Sequence, residues 1–197
     1  MWIRVVLAAV ALAIASPQTA SAQPVPYRDS IFLFGGVFTT GVMGTSLIPL
    51  VPGYESNYIL GGAYQRQFYE LGFGFLLGGE VGVAGRFGTD SSAEIWGGLS
   101  IRTAPIPIGN IGFLAPGIVI GLSAVTNTIG EERIREITTG GNAALLGYIG
   151  PELAFTFREM PNLAIVYRLH HRSGGFGSLG GMREGHNAQV LGLRWQW

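Results

Sequence analysis

Apolar and polar positions alternate with period two along much of this chain, the signature of strands with one face in an apolar medium. From Phe73 to Phe87 the odd positions are Phe73, Phe75, Leu77, Val81, Val83 and Phe87, with Gly79 and Gly85 between them. The even positions are mostly Gly and Ala, and they carry the charges of Glu80 and Arg86. From Ala93 to Thr103, Ile95, Leu99 and Ile101 oppose Glu94, Trp96, Ser100 and Arg102. From Leu145 to Phe157, Leu145, Ile149, Leu153, Phe155 and Phe157 oppose Tyr148, Glu152 and Thr156. A soluble sandwich would carry more Lys, Glu and Thr on its polar face. Small residues with single charges suit the inside of a narrow closed barrel whose other face meets lipid.

Eight strands are predicted, at about residues 31–40, 57–67, 73–87, 93–103, 112–125, 144–157, 162–173 and 187–197. The first two alternate poorly. An even count puts both termini on one side, which in outer-membrane barrels is the periplasm. The connections then sort into mostly long outward loops (41–56, 88–92, 127–143, 174–186) and mostly short inward turns (68–72, 104–111, 158–161), as such barrels require. The loop bearing Glu131, Glu132, Arg133, Arg135 and Glu136 reads as a solvated, charged, cell-exterior loop.

Composition narrows the class further. Residues 1–22 have the form of a secretory signal: Arg4 opens it, Val5 to Ala15 are apolar, and Ala20-Ser21-Ala22 supplies the cleavage pattern. The mature domain is then 23–197. The uncharged stretch from Thr103 to Thr128 is cut by Pro105, Pro107 and Pro116, so it does not read as a spanning helix. Because only helices and closed barrels satisfy their backbone in a bilayer, the barrel remains. Twelve basic and twelve acidic residues cancel, which argues against a nucleic-acid partner. The absence of cysteine removes disulfides and thiol nucleophiles.

The seventh strand carries the candidate chemistry. Its odd row, Leu163, Ile165, Tyr167 and Leu169, ends in His171 and Ser173, while Ala164, Val166, Arg168, His170 and Arg172 face the other way. Lipid-exposed polar side chains cost free energy, so a lipid-facing row that ends in His and Ser at the outer rim points either to the headgroup boundary or to a function there. Two residues apart on one strand, the two side chains are roughly 7 Å apart, within reach of a suitable rotamer. A serine nucleophile needs such a base, and the base needs an orienting acceptor. Asn187, odd-numbered in the eighth strand, lies on the same face. Glu184 is the other candidate. His170 and His171 point to opposite faces, so no histidine metal site is expected. Arg168, Arg172, Glu80, Glu94 and Arg102 read as a lumen network of paired charges.

The segment Tyr167-Arg168-Leu169-His170-His171-Arg172-Ser173-Gly174-Gly175, with Gly185-His186-Asn187 and the aromatic-ended last strand, resembles the lipid A 3-O-deacylase (PagL-like, acyloxyacyl hydrolase) family. The motif match covers about thirty C-terminal residues. The resemblance implies an outer-membrane esterase with Ser173 as nucleophile, His171 as base, and Asn187 or Glu184 as orienting residue. It also implies an oxyanion hole from the backbone N–H groups of Gly174 and Phe176, no cofactor or metal, and lipid A of lipopolysaccharide as substrate among the lipids of the Gram-negative outer membrane. The family usually has Asn where Gly174 stands and an acid where Asn187 stands. The alternative is a non-enzymatic structural or adhesive barrel, since a scaffold does not fix a function. Association into a homodimer is left open.

Overall fold

Alternation over a dozen residues makes strands long enough to cross a bilayer, and the computed structural model, which describes residues 28–197, contains eight of them. The expected signal segment and the mature start at Gln23 lie outside the described residues. The long strands are β1 (Asp29–Thr39), β2 (Tyr54–Gly72), β3 (Phe75–Phe87), β4 (Ser92–Thr103), β6 (Gly112–Val125), β7 (Leu145–Phe157), β8 (Leu163–Ser173) and β9 (Glu184–Gln196), with a three-residue β5 (Ile106–Ile108) between β4 and β6. Two short helices lie in loops, α1 (Met43–Ser46) and α2 (Gly130–Thr139). Every long strand pairs antiparallel with its neighbour, and β1 pairs with β9, so the sheet closes on itself. Asp29 and Trp197 exchange backbone hydrogen bonds at the closure, which puts both ends of the described chain on one rim.

Strand number and parity match the sequence reading, but several boundaries do not: β2 and β9 each begin three residues before the expected start, at Tyr54 and Glu184. β2 continues past 67 through Phe68, Tyr69 and Leu71, and the chain reverses only at Gly72, Phe73 and Gly74, all at positive φ. Glycine is what permits so tight a reversal there, and it shortens the start of β3 by two residues. The 104–111 turn holds β5, which folds back on the start of β6. The poor alternation of β1 also has a cause. Its lumen face is aromatic: Phe32 lies beneath the guanidinium groups of Arg168 and Arg194 (4.8 and 5.3 Å), and Phe38 stacks on His186 (4.0 Å) with Arg86 over it (5.1 Å). Cation–π contacts thus put apolar residues on both faces of that strand.

The lumen is filled by charge pairs. Arg168 donates to Glu80 (2.6 and 2.7 Å) and to Glu152 (3.0 and 2.6 Å). Arg194 makes two further bonds to Glu152 (2.9 and 2.7 Å), and Arg102 stands 3.5 Å from the same carboxylate. Nearer the outward end, His170 meets Glu94 (2.8 Å), and His186 lies between Glu55 (2.7 Å) and Arg86 (2.8 Å). The expected network of Arg168, Arg172, Glu80, Glu94 and Arg102 is therefore present and extends to Arg86, Glu132, Glu152 and Arg194.

The charged outward loop departs from expectation. It folds into α2 and closes the lumen, with Glu132 fully buried between Arg86 (2.7 Å) and Arg172. Arg135 donates to the carbonyls of Thr40 (3.0 Å), Gly41 (3.2 Å) and Gly185 (2.9 Å), and Glu136 accepts from Thr128 and from the Ala143 N–H. Of the five charged residues, Arg133 is the clearly solvated one, loosely paired with Asp90 at 3.8 Å. Arg86 and Arg172 supply the opposite charge that a buried Glu132 carboxylate requires.

Removing one member of a buried pair strands its partner and costs about 3–5 kcal/mol. Arg168→Ala should therefore lower the urea midpoint of the detergent-folded barrel strongly, whereas Arg133→Ala should be nearly silent. Equal midpoints for the two variants, followed by tryptophan fluorescence, would contradict this account of the lumen.

Candidate functional site

β8 holds the two candidate groups on its outer face, as parity requires. Its even residues Ala164, Val166, Arg168, His170 and Arg172 are buried in the lumen, and Ile165 is exposed on the outside. His171 pairs across the ladder with Asn187, which shares its face. The His171 Nδ1–H donates to Asn187 Oδ1 at 2.6 Å, and the Asn187 amide donates in turn to the Gly41 carbonyl at 2.8 Å. The second bond orients the amide, because only its NH2 end can face a carbonyl. The ring is thereby set with its proton on Nδ1, which leaves Nε2 as the basic nitrogen.

Glu184 reaches the same face by a different route. Strict alternation would place it in the lumen with His186 and Ala188. The ladder slips between His171/Asn187 and Ser173/Glu184, so β9 contains one extra residue at this bulge. Glu184 consequently stands opposite Ser173, on the outside. Its Oε2 atom is buried without a hydrogen-bond partner among the described residues, a costly arrangement for a carboxylate. The structure therefore brings His171, Ser173, Asn187 and Glu184 to one patch of the outer wall.

The outward loop after Ser173 changes the oxyanion assignment. The Gly174 N–H is committed to the Arg183 carbonyl (3.1 Å), so in this arrangement it is not a free oxyanion donor. Gly175 N–H points to Ser173 Oγ instead (3.2 Å). Phe176 has positive φ and a side chain 99% exposed, and its N–H makes no hydrogen bond among the described residues. Glycine at 174 has its own reason, since a Cβ there would fall 1.8 Å from the Met182 carbonyl oxygen.

The site also differs from expectation in what covers it. His171 is not open to lipid; it is 2% exposed, and Asn187 is fully buried. The chain from 41 to 53 lies against the outer wall of β8 and β9. Gln189, also outward-facing, donates to the carbonyls of Ser46 (2.9 Å) and Ile48 (3.1 Å), and Tyr167 donates to that of Leu47 (3.2 Å). No hydrogen bond joins His171 to Ser173 among the described residues; the Ser173 hydroxyl lies near the Arg183 carbonyl (3.5 Å). Sequence reasoning missed Gly41, Gln189 and Tyr167. The available signal was two polar side chains, at 167 and 189, in lipid-facing rows.

A closed antiparallel barrel with an apolar outer wall and a charge-paired interior is a transmembrane barrel of the outer-membrane type, and the Gram-negative outer membrane is its location. No known family pattern and no curated protein matches this chain. Among solved structures it is similar to the outer membrane enzyme PagL (TM-score 0.53, 13% identity, 85% of this chain and 99% of that one). It is also similar to Neisserial surface protein A (0.52, 8%, 86% and 97%) and to the N-terminal β-barrel domain of Pseudomonas aeruginosa OprF (0.50, 13%, 87% and 98%). At such identities the likeness establishes the fold.

Asn187 can donate to Gly41 only as an amide. Asn187→Asp would turn a carboxylate oxygen toward that carbonyl and loosen the covering segment. Diethyl pyrocarbonate should then modify His171 readily in Asn187→Asp but poorly in the folded wild type, as read by peptide mass spectrometry. Rapid modification in both proteins would show that the segment does not shield the ring.

Proposed function

We propose that this barrel is an outer-membrane ester hydrolase that removes the 3-O-linked acyl chain of lipid A. The observation that carries the reading is the chain Gly41 O, Asn187, His171, which presets the tautomer a general base needs, two residues from a serine on the same face. The local resemblance to the lipid A 3-O-deacylase family supports it.

In this mechanism Ser173 Oγ attacks the ester carbonyl as His171 Nε2 takes its proton, and the sugar oxygen leaves with that proton. Water, deprotonated by the same nitrogen, then releases the 3-hydroxy fatty acid and regenerates the serine. Asn187 holds the ring, and the Glu184 carboxylate provides the negative charge that an amide cannot offer to an imidazolium. The Phe176 N–H, rather than that of Gly174, serves the oxyanion, joined by the Gly175 N–H as it leaves Ser173 Oγ when that oxygen bonds to the carbonyl carbon. No cofactor takes part. Reaction requires the Ser173 hydroxyl to turn toward His171 and the 41–53 segment to admit the ester.

A second reading, a non-enzymatic barrel, has its own observation. Asn187, Gln189 and Tyr167 all hold the covering segment, so the polar residues of this wall have a structural use without catalysis.

Mass spectrometry of lipid A from cells expressing wild type, Ser173→Ala and Glu184→Gln separates the two readings. Hydrolysis predicts loss of one hydroxyacyl chain with wild type, none with Ser173→Ala, and a reduced yield of at least tenfold with Glu184→Gln. Fully acylated lipid A in all three strains would favour the non-enzymatic barrel.

A further inference from the structure

Two long outward loops differ sharply in composition. One forms the charged helix α2 that closes the lumen. The other, from Thr39 to Tyr54, contains no charged residue, and its exposed side chains are apolar apart from Tyr54, Thr40 and Thr45, the last of which donates to the Val42 carbonyl. Leu50 is 88% exposed, Ile48 59% and Val51 57%, and Val42 and Leu47 are also exposed. The segment does not project into the medium beyond the barrel. It lies on the outer wall, and on its flank the exposed Ile165, Leu191 and Leu193 belong to the lipid-facing rows of β8 and β9.

Irregular backbone in contact with hydrocarbon must have its polar groups satisfied by protein. The segment meets this requirement along most of its length. Thr40 N–H bonds to Gly53 O (3.0 Å) and closes its base. Within it, Ser46 N–H bonds to Val42 O, Leu47 N–H to Met43 O, and Val51 N–H to Ile48 O, while Leu50 N–H donates to the Tyr54 hydroxyl. Pro49 and Pro52 have no N–H to satisfy. The carbonyls of Gly41, Ser46, Leu47 and Ile48 accept from Asn187, Gln189 and Tyr167, which reach out from the wall. A water-exposed loop would need none of these wall donors, since solvent would serve.

We infer that residues 41–52 form a strap immersed in the outer leaflet, with its polar backbone turned to the barrel and its apolar side chains in contact with lipid acyl chains. The inference rests on the barrel and not on ester hydrolysis. It gives Gln189 and Tyr167 a role as wall donors that make a non-strand segment tolerable at membrane depth.

The absence of cysteine allows single labels. Leu50→Cys, Leu191→Cys on the wall and Thr138→Cys on α2 would each be nitroxide-labelled in barrels purified from membranes and placed in phosphatidylcholine vesicles. Collision of each label with oxygen and with a water-soluble nickel chelate is then measured by power saturation, after heat-modifiable gel migration confirms folding. The Leu50 label should be oxygen-dominated like that at Leu191, with several-fold less nickel contact than the label at Thr138. Adding Tyr167→Phe and Gln189→Ala should raise nickel contact at position 50. Nickel contact equal to that at Thr138 in the parent overturns the strap, as does no change on removing the wall donors. Shielding from both reagents that fades on dilution in lipid would overturn lipid as the occupant and point to a second copy of the chain.

Discussion

The structure depends on the β1–β9 ladder. A sheet in lipid cannot leave an edge, because each unpaired N–H or carbonyl there would lack any partner. Ten register pairs from Ser30/Gln196 to Thr39/Asn187 remove the edge and fix the circumference. Once the wall is closed, each residue has only two addresses, lumen or lipid, and a one-residue change of phase exchanges them. The position of the candidate groups, the filling of the interior and the lie of the covering segment all follow from that binary choice.

The lumen shows how a narrow interior accommodates charge. Five arginines, at 86, 102, 168, 172 and 194, share the space with glutamates at 80, 94, 132 and 152, and Glu55 and two histidines complete the set. Isolated, any one of these would be intolerable there. Bidentate geometry and shared carboxylates make the set tolerable. In the even row of β3 a Cβ at Gly82 would meet the Trp96 ring at 2.1 Å, and one at Gly78 would meet Gln67 and Ser100 at 2.7 Å, so small residues there make room for lumen side chains of the neighbouring strands.

Much of this architecture is legible in the sequence, because alternation reports directly on the two addresses. β3, β4, β7 and the end of β9 alternate cleanly and give strand count, parity and the outward placement of His171, Ser173 and Asn187. What escapes are the places where a residue's environment is made by a distant segment. Glu132 looks solvated until the lumen arginines are placed beneath it. Phe32 and Phe38 blur the pattern of β1 because their partners are guanidinium groups from other strands. Glu184 joins the site through an extra residue at the very start of β9, where too few strand residues precede the bulge for its change of phase to show in the pattern. The cover over His171 shows only on its donor side, as Tyr167 and Gln189 in lipid-facing rows, since its own contacts are backbone carbonyls, which every residue possesses.

A lumen packed with paired charges also bears on permeability. Nothing the width of a hydrated ion passes between Glu80, Arg168 and Glu152 without breaking bonds at hydrogen-bonding distance on both sides. The described barrel is therefore a filled post at that level and not an open tube. A cell can carry many copies of such a post without short-circuiting the barrier in which it stands.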